Sequence, residues 1–194
     1  MRYFIIFKPF GYLSQFTKEA PHHQTLADLY KFPKDVYPVG RLDKDSEGLL
    51  ILTDDKRLNN SLLNPKFKHK RTYLAQVDGA ITPKAIQELS KGVDIKVNKK
   101  VHSTLPAKAQ LIEPAPSLPE RNPPVRFRKN IPTSWVELTL IEGKNRQVRK
   151  MCASVGFPVL RLVRSKIENI SIDNMQIGDV IEMKESEIFH LLRL

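Results

Sequence analysis

Residues 39–53 read VGRLDKDSEGLLILT. The stretch sets a Gly-started turn carrying Arg41, Asp43, Asp45 and Glu47 directly against the apolar run Leu49-Leu50-Ile51-Leu52. A continuous apolar run this short, bounded by turn residues, reads as a buried strand from Gly48 to Thr53. Loops carry chemistry when a rigid element holds them, so this acidic loop on its strand is the first place to look for a site. Asp54-Asp55 then open a helix running towards Asn64, where acidic residues suit the positive end of the helix dipole.

Outward from that strand, helix and strand patterns alternate. Tyr3 to Phe7 is a strand stopped by Lys8-Pro9 and turned at Gly11, and Thr25 caps a short helix to Tyr30. Thr72 to Val77 is a strand with Tyr73, Ala75 and Val77 on one face. Thr82-Pro83 starts a helix that Gly92 ends. Trp135 to Ile141 is a strand facing inward through Val136, Leu138 and Leu140. Asn145 to Val155 is a helix with an apolar stripe, Val148, Met151, Cys152 and Val155, beside a basic one, Arg146, Arg149 and Lys150. Strands at Val159 to Val163 and Val180 to Met183 and a terminal helix from about Glu185 complete the pattern. Between them, residues 113–132 hold six prolines interleaved with Arg121, Arg126, Arg128 and Lys129. Proline at that density excludes a regular element, and a long basic loop inside a compact domain is a functional candidate.

The chain has 194 residues and a net charge of +11. That length suits one domain with a sizeable core, and the charge points to a polyanionic partner, nucleic acid first. Charge is concentrated: residues 108–166 hold 12 Lys or Arg against 4 Glu, whereas residues 167–194 hold 2 against 6 acids. A second basic cluster is Lys66, Lys68, Lys70 and Arg71. No run approaches the roughly 20 apolar residues of a spanning helix, and the N-terminus has no small-residue cleavage site. Cys152 is the single cysteine, which fits a reducing cytoplasm and a buried structural thiol.

Three chemistries are open to these residues. Asp43 beside Arg41 is either a turn-stabilising pair or a carboxylate kept ionised for attack or proton transfer. Asp43, Asp45, Glu47, Asp54 and Asp55 are a candidate Mg²⁺ nuclease set, weakened by the strand that puts roughly 20 Å between Glu47 and the last two. Tyr73 after Lys70-Arg71, and Phe127 between Arg126 and Arg128, offer rings for base stacking. A basic RNA-binding or ribosome-assembly factor without catalysis uses the same surfaces.

GRLDKDSEGLLILT resembles the signature of the pseudouridine synthases, in the branch that modifies ribosomal RNA. FKPFGYLSQ, KRTYLAQVDG (70–79), EGKNRQVRKM (142–151) and GFPVLRLVRSKI follow in that family's order, and the resemblance covers nearly the whole chain. The insert RNPPVRFRKNIPTSW points to a branch acting on the large subunit, hence on 23S RNA. The resemblance implies an α+β fold: a bent, mixed and mostly antiparallel sheet with flanking helices and a central active cleft. It implies an isomerase that detaches uracil from C1′ of a flipped uridine, turns it and rejoins it through C5, with no cofactor and no metal.

Carried over by position, Asp43 is the nucleophile, Tyr73 stacks on the flipped base and handles a proton, and Arg149 holds Asp43 ionised. Leu160 and Leu162 line the pocket. Arg41, Lys70, Arg71, Arg121, Arg126, Arg128, Lys129, Arg146, Lys150, Arg161 and Arg164 are the expected RNA contacts. Asp45 and Glu47 are left as loop-shaping groups. Many relatives carry an RNA-binding module of the S4 type ahead of the catalytic domain, whereas here the catalytic strand begins at once. The expectation is therefore a single two-lobed catalytic domain over residues 1–194, a cytoplasmic monomer with ribosomal RNA as partner and no membrane contact.

Overall fold

The computed structural model of the protein describes residues 1–125 and 131–194. In chain order the strands are β1 Tyr3–Lys8, β2 Tyr12–Leu13, β3 Gln24–Thr25, β4 Tyr37–Pro38, β5 Glu47–Thr53, β6 Arg71–Asp78, β7 Asp94–Val97, β8 Lys100–Ser103, β9 Lys108–Ile112, β10 Thr133–Leu140, β11 Val159–Ile167, β12 Ile170–Ser171 and β13 Val180–Met183. The helices are α1 Lys56–Leu63, α2 Pro83–Lys91, α3 Gln147–Ser154 and α4 Glu185–Leu192. The fold is α+β. No helix among the described residues is long and apolar enough to cross a membrane.

The chain divides into two compact units, residues 1–69 with 164–194 and residues 70–163. In the first, β1 lies between β13 and β5, antiparallel to both, and β4 is also antiparallel to β5. Every residue of β1 and β5 is buried, which is why both read as unbroken apolar runs rather than as alternating ones. Their ends are finished by polar contacts. Tyr3 donates its hydroxyl to Asp55 Oδ2 at 2.8 Å. Asp55 caps α1 by accepting from the Arg57 N–H at 2.8 Å. The Arg57 guanidinium, more than any other group, holds the Asp55 carboxyl below the usual carboxylate range. The expected helix after Thr25 is only a 3₁₀ turn, Leu26–Asp28, its start capped by Asp28, which accepts from the Thr25 N–H at 2.8 Å.

In the second unit β10 lies between β6 and β9, antiparallel to both, and β7 and β8 form a hairpin. Ala75 and Val77 of β6 and Val136, Leu138 and Leu140 of β10 meet Ala85 and Leu89 of α2 and Val148, Met151 and Cys152 of α3 in one core. Thr82 caps α2 through its Oγ1, which accepts from the Ala85 N–H. Helix α3 begins at Gln147, two residues later than the periodicity predicts, because Arg146 stands in the left-handed region at φ +53. The basic stripe is thus Arg149 and Lys150 on the helix, with Arg146 at its cap. Strand β11 is longer than predicted, giving Val159–Val163 to this unit and Arg164–Ile167 to the first. Among the described residues of 113–125 there is no helix or strand.

Candidate active site

Asp43 is half-exposed on the loop before β5, and the backbone on both sides of it is pinned. The Leu42 N–H donates to Ser14 Oγ at 3.1 Å, and Ser14 Oγ donates back to the Leu42 carbonyl at 2.8 Å. The Ser46 N–H donates to the Asp43 carbonyl at 3.0 Å, and the Gly11 N–H to the Lys44 carbonyl at 2.8 Å. Ser14 and Gly11 both come from FKPFGYLSQ, so this early stretch is the clamp of the acidic loop. Paired backbone groups on both flanks hold the Asp43 Cα in place.

Beneath the loop lies a charged group that the sequence did not reveal. Lys8, the last residue of β1, is fully buried opposite Gly48. Its ammonium donates to the carbonyls of Pro9 at 2.8 Å and Tyr12 at 2.7 Å. Burial lowers its pKa to about 7, against the pull of the Glu47, Asp45 and Asp43 carboxylates, with Arg164 adding to the lowering. The signal for Lys8 was a lysine closing an otherwise apolar strand before proline, a position the strand's own burial draws inward. Glu47 corrects its sequence reading as a loop residue: it opens β5 and is fully buried.

Arg41 is exposed and donates from Nη2 to Gln15 Oε1 at 3.1 Å. The nuclease set comes apart. Asp55 serves α1 and Tyr3, and Asp54 accepts from the Arg2 N–H at 2.7 Å, at the far end of β5 from Glu47. Among the described residues no group of three metal-ligating side chains gathers.

Tyr73 and Arg149 belong to the second unit. Tyr73 sits on β6 opposite Leu138, part-buried against the core, and the neighbouring Thr72 and Thr139 hydroxyls, 2.9 Å apart, lock the two strands. Arg149 is half-buried and donates from Nη1 to the Val159 carbonyl at 3.4 Å. Cys152, one helical turn away, is buried and its thiol pushed up to about 12 by that burial, which leaves it protonated and structural. Lys70 is exposed and Arg71 half-buried. Arg146 is exposed, and Lys150 donates to Asn145 Oδ1 at 3.4 Å. Leu160 is half-buried, while Leu162 belongs to the core.

Two of the expected RNA contacts are buried among protein carbonyls. Arg161 is buried and donates from Nη2 to the Pro119 carbonyl at 2.9 Å, and Arg164 is buried and donates from Nε to the Leu49 carbonyl at 2.8 Å. Arg121 likewise donates to the carbonyls of Pro123, Pro124 and Leu160. A proline-rich stretch has carbonyls without matching N–H donors, and guanidinium groups with five donors each supply them. Arg126, Phe127, Arg128 and Lys129 lie outside the described residues.

Comparison with known proteins bears on this arrangement. A family model described as RNA pseudouridylate synthase matches residues 2–154. The chain is 51% identical over 181 residues to the ribosomal large subunit pseudouridine synthase E of Vibrio parahaemolyticus, covering 93% of this chain and 73% of that one. It is 48% identical over 167 residues to the protein of the same name from Xanthomonas axonopodis pv. citri, covering 86% and 85%. A solved crystal structure of a pseudouridylate synthase matches with a TM-score of 0.77 at 26% identity, covering 98% of this chain and 73% of that one.

Proposed function

The chain belongs to the RNA pseudouridylate synthase family, and on that premise we propose that it isomerises a uridine of large-subunit ribosomal RNA to pseudouridine, with Asp43 as the reacting carboxylate. The bond between C1′ and N1 of the uridine breaks, the uracil turns, C5 bonds to C1′ with loss of its proton, and the freed N1 takes up a proton. Atoms and oxidation state are conserved, so the chemistry asks for positioning and charge rather than for a co-reactant. The observation that carries the reading is the clamp: Ser14 and Gly11 fix the backbone at Leu42 and Lys44, on either side of one carboxylate in a chain of net charge +11.

Roles follow by residue type. Tyr73 offers an aromatic face for a base that must leave its stack, at a cost of a few kcal/mol that phosphate contacts offset. Arg149 is the proposed cationic residue of the reaction centre, a guanidinium suited to a carboxylate or a phosphate. Lys70, Arg71, Arg146 and Lys150 are the proposed phosphate contacts. The protein acts as a cytoplasmic monomer.

Asp43→Asn tests the core of this. The variant keeps its fold and its RNA affinity but loses pseudouridine formation by at least about 10²-fold, the lower range for a group that handles the reacting atoms. An unchanged rate refutes the assignment. Isomerisation leaves the RNA mass unchanged, so the product is mapped by carbodiimide labelling and reverse-transcription stops on rRNA from a deletion strain and its parent. Identical maps return the protein to a non-catalytic RNA-binding factor, the reading that family membership disfavours.

A further inference from the structure

The hairpin β7–β8 carries charge that none of the roles above uses. Residues 94–103, DIKVNKKVHS, hold Lys96, Lys99 and Lys100 against a single acid, Asp94. The three lysines are exposed, and Asp94 accepts from Ser103 Oγ at 2.6 Å. The strands are joined through Asn98 and Lys99, both in the left-handed region at φ +49 and +65. Two-residue turns of this hand favour Asn followed by Gly, because an L side chain is strained there. Asn98 obeys that rule and Lys99 breaks it. A lysine kept at a hairpin tip where glycine is less strained is an outlier of the sort that marks a functional position.

The tip is also rigidly mounted. The Val93 N–H donates to Thr104 Oγ1 at 2.9 Å and the Thr104 N–H to the Val93 carbonyl at 3.0 Å, closing the base of the hairpin. Ile95 is buried in the core. On the next strand, His102 Nε2 lies 3.2 Å from Glu142 Oε2. The other Glu142 oxygen accepts from the Leu105 N–H at 2.8 Å and from Gln147 Nε2 at 2.7 Å. Glu142 therefore ties the hairpin to the loop leading into α3, which carries Arg149 and Lys150. Charges on a fixed mount meet a partner with less ordering cost than charges on a mobile one.

We infer that the β7–β8 hairpin is an RNA-contact element whose Lys96, Lys99 and Lys100 neutralise phosphates of the substrate backbone. The inference rests on the proposed function for its partner, RNA. Lysine contacts to phosphate set position and affinity rather than sequence choice, so the hairpin holds the RNA while the acidic loop acts on one nucleotide.

The test is salt-dependent binding of an unmodified transcript of bacterial large-subunit rRNA to the full chain, alongside pseudouridine formation by the wild type. The triple variant Lys96→Gln, Lys99→Gln, Lys100→Gln lowers the slope of log K against log salt by about 2, because each lost phosphate contact removes about 0.7–0.9. The accompanying loss of turnover appears in KM. Lys99→Gly separates charge from folding: it melts higher, by about 2 °C, yet binds with a slope lower by about 1. A triple variant with the wild-type slope and a Kd within about twofold overturns the inference, and an acidic protein partner is then the better occupant. If the wild type forms no pseudouridine while the slope still falls, the hairpin inference stands and the proposed function fails. If the wild type forms pseudouridine and the slope does not move, the hairpin inference alone fails.

Discussion

Gly48→Ala should be the most damaging single methyl group in this protein, and the structure says why. Gly48 is the second residue of β5, the strand that follows the acidic loop, at φ +107. An L residue held there costs about 1–3 kcal/mol. A Cβ built on Gly48 would also lie 2.7 Å from the Arg164 nitrogen and 2.9 Å from its carbonyl carbon, with the carbonyl oxygen closer still. These are backbone atoms of β11, so no side chain can swing aside, and one strand must move by several tenths of an ångström. Overpacking of that kind costs about 1–3 kcal/mol, and together the two effects come to about 2–6 kcal/mol. For a chain of this size that is a fall in Tm on the order of 10 °C. Two other glycines separate the contributions. Gly156 has φ +92 but open space around its Cβ position, so Gly156→Ala carries only the backbone cost. Gly143 has open space and no such φ, so Gly143→Ala is close to neutral. Urea and thermal unfolding of the three variants, with pseudouridine formation measured well below each Tm, should rank them Gly48, Gly156, Gly143. If Gly48→Ala unfolds like Gly156→Ala, the close approach of the two strands is not a packing constraint and the reasoning is wrong.

Ser14→Ala leaves the buried Leu42 N–H and carbonyl without their partner, a cost of about 1–3 kcal/mol. The rate should fall by more than the stability loss accounts for, with Ser14→Thr restoring part of it; an unchanged kcat would show that the clamp does not position Asp43. Lys8 should appear in the pH profile of stability. Its folded pKa of about 7 lies below the ordinary 10.5, so between those values the unfolded chain binds a proton that the folded chain lacks. Stability therefore rises with pH through that window and is flat on this account below it, with a ceiling of roughly 5 kcal/mol. Urea unfolding from pH 6 to 9 should show the rise in the wild type and a flatter limb in Lys8→Met, and parallel profiles would count against the buried cation. Tyr73→Phe should bind RNA normally but turn over slowly, whereas Tyr73→Ala loses about 1–3 kcal/mol of base stacking as well; wild-type turnover in the Phe variant would remove any role for the hydroxyl.

What was legible from the sequence were elements whose burial is periodic. β1 and the middle of β5 are continuous apolar runs, β6 and β10 alternate, and Thr82 and Asp55 announce the helices they cap. What was not legible depended on residues acting against type. The β7–β8 hairpin escaped because its turn is Asn98-Lys99 rather than Asn-Gly and its strands are rich in lysine. The start of α3 was misplaced because Arg146 leaves the helical region at a position that periodicity alone would include. The acidic loop was found, yet its geometry was not: nothing in GRLD says that Ser14 and Gly11, some 30 residues earlier at Leu42 and Lys44, hold it from both sides.

Buried charge was the hardest feature to read, and it changes what the basic surplus means. Lys8, Arg161 and Arg164 count towards the net charge of +11 but are all buried. Their donors go to the carbonyls of Pro9, Tyr12, Pro119 and Leu49, at strand ends and in a segment where proline removes the N–H groups that would otherwise pair. Total charge therefore overstates the surface offered to RNA. Exposed lysines, among them those at residues 70, 96, 99 and 100, are where that attraction is offered, which is why the salt slope rather than affinity at one ionic strength is the informative measurement.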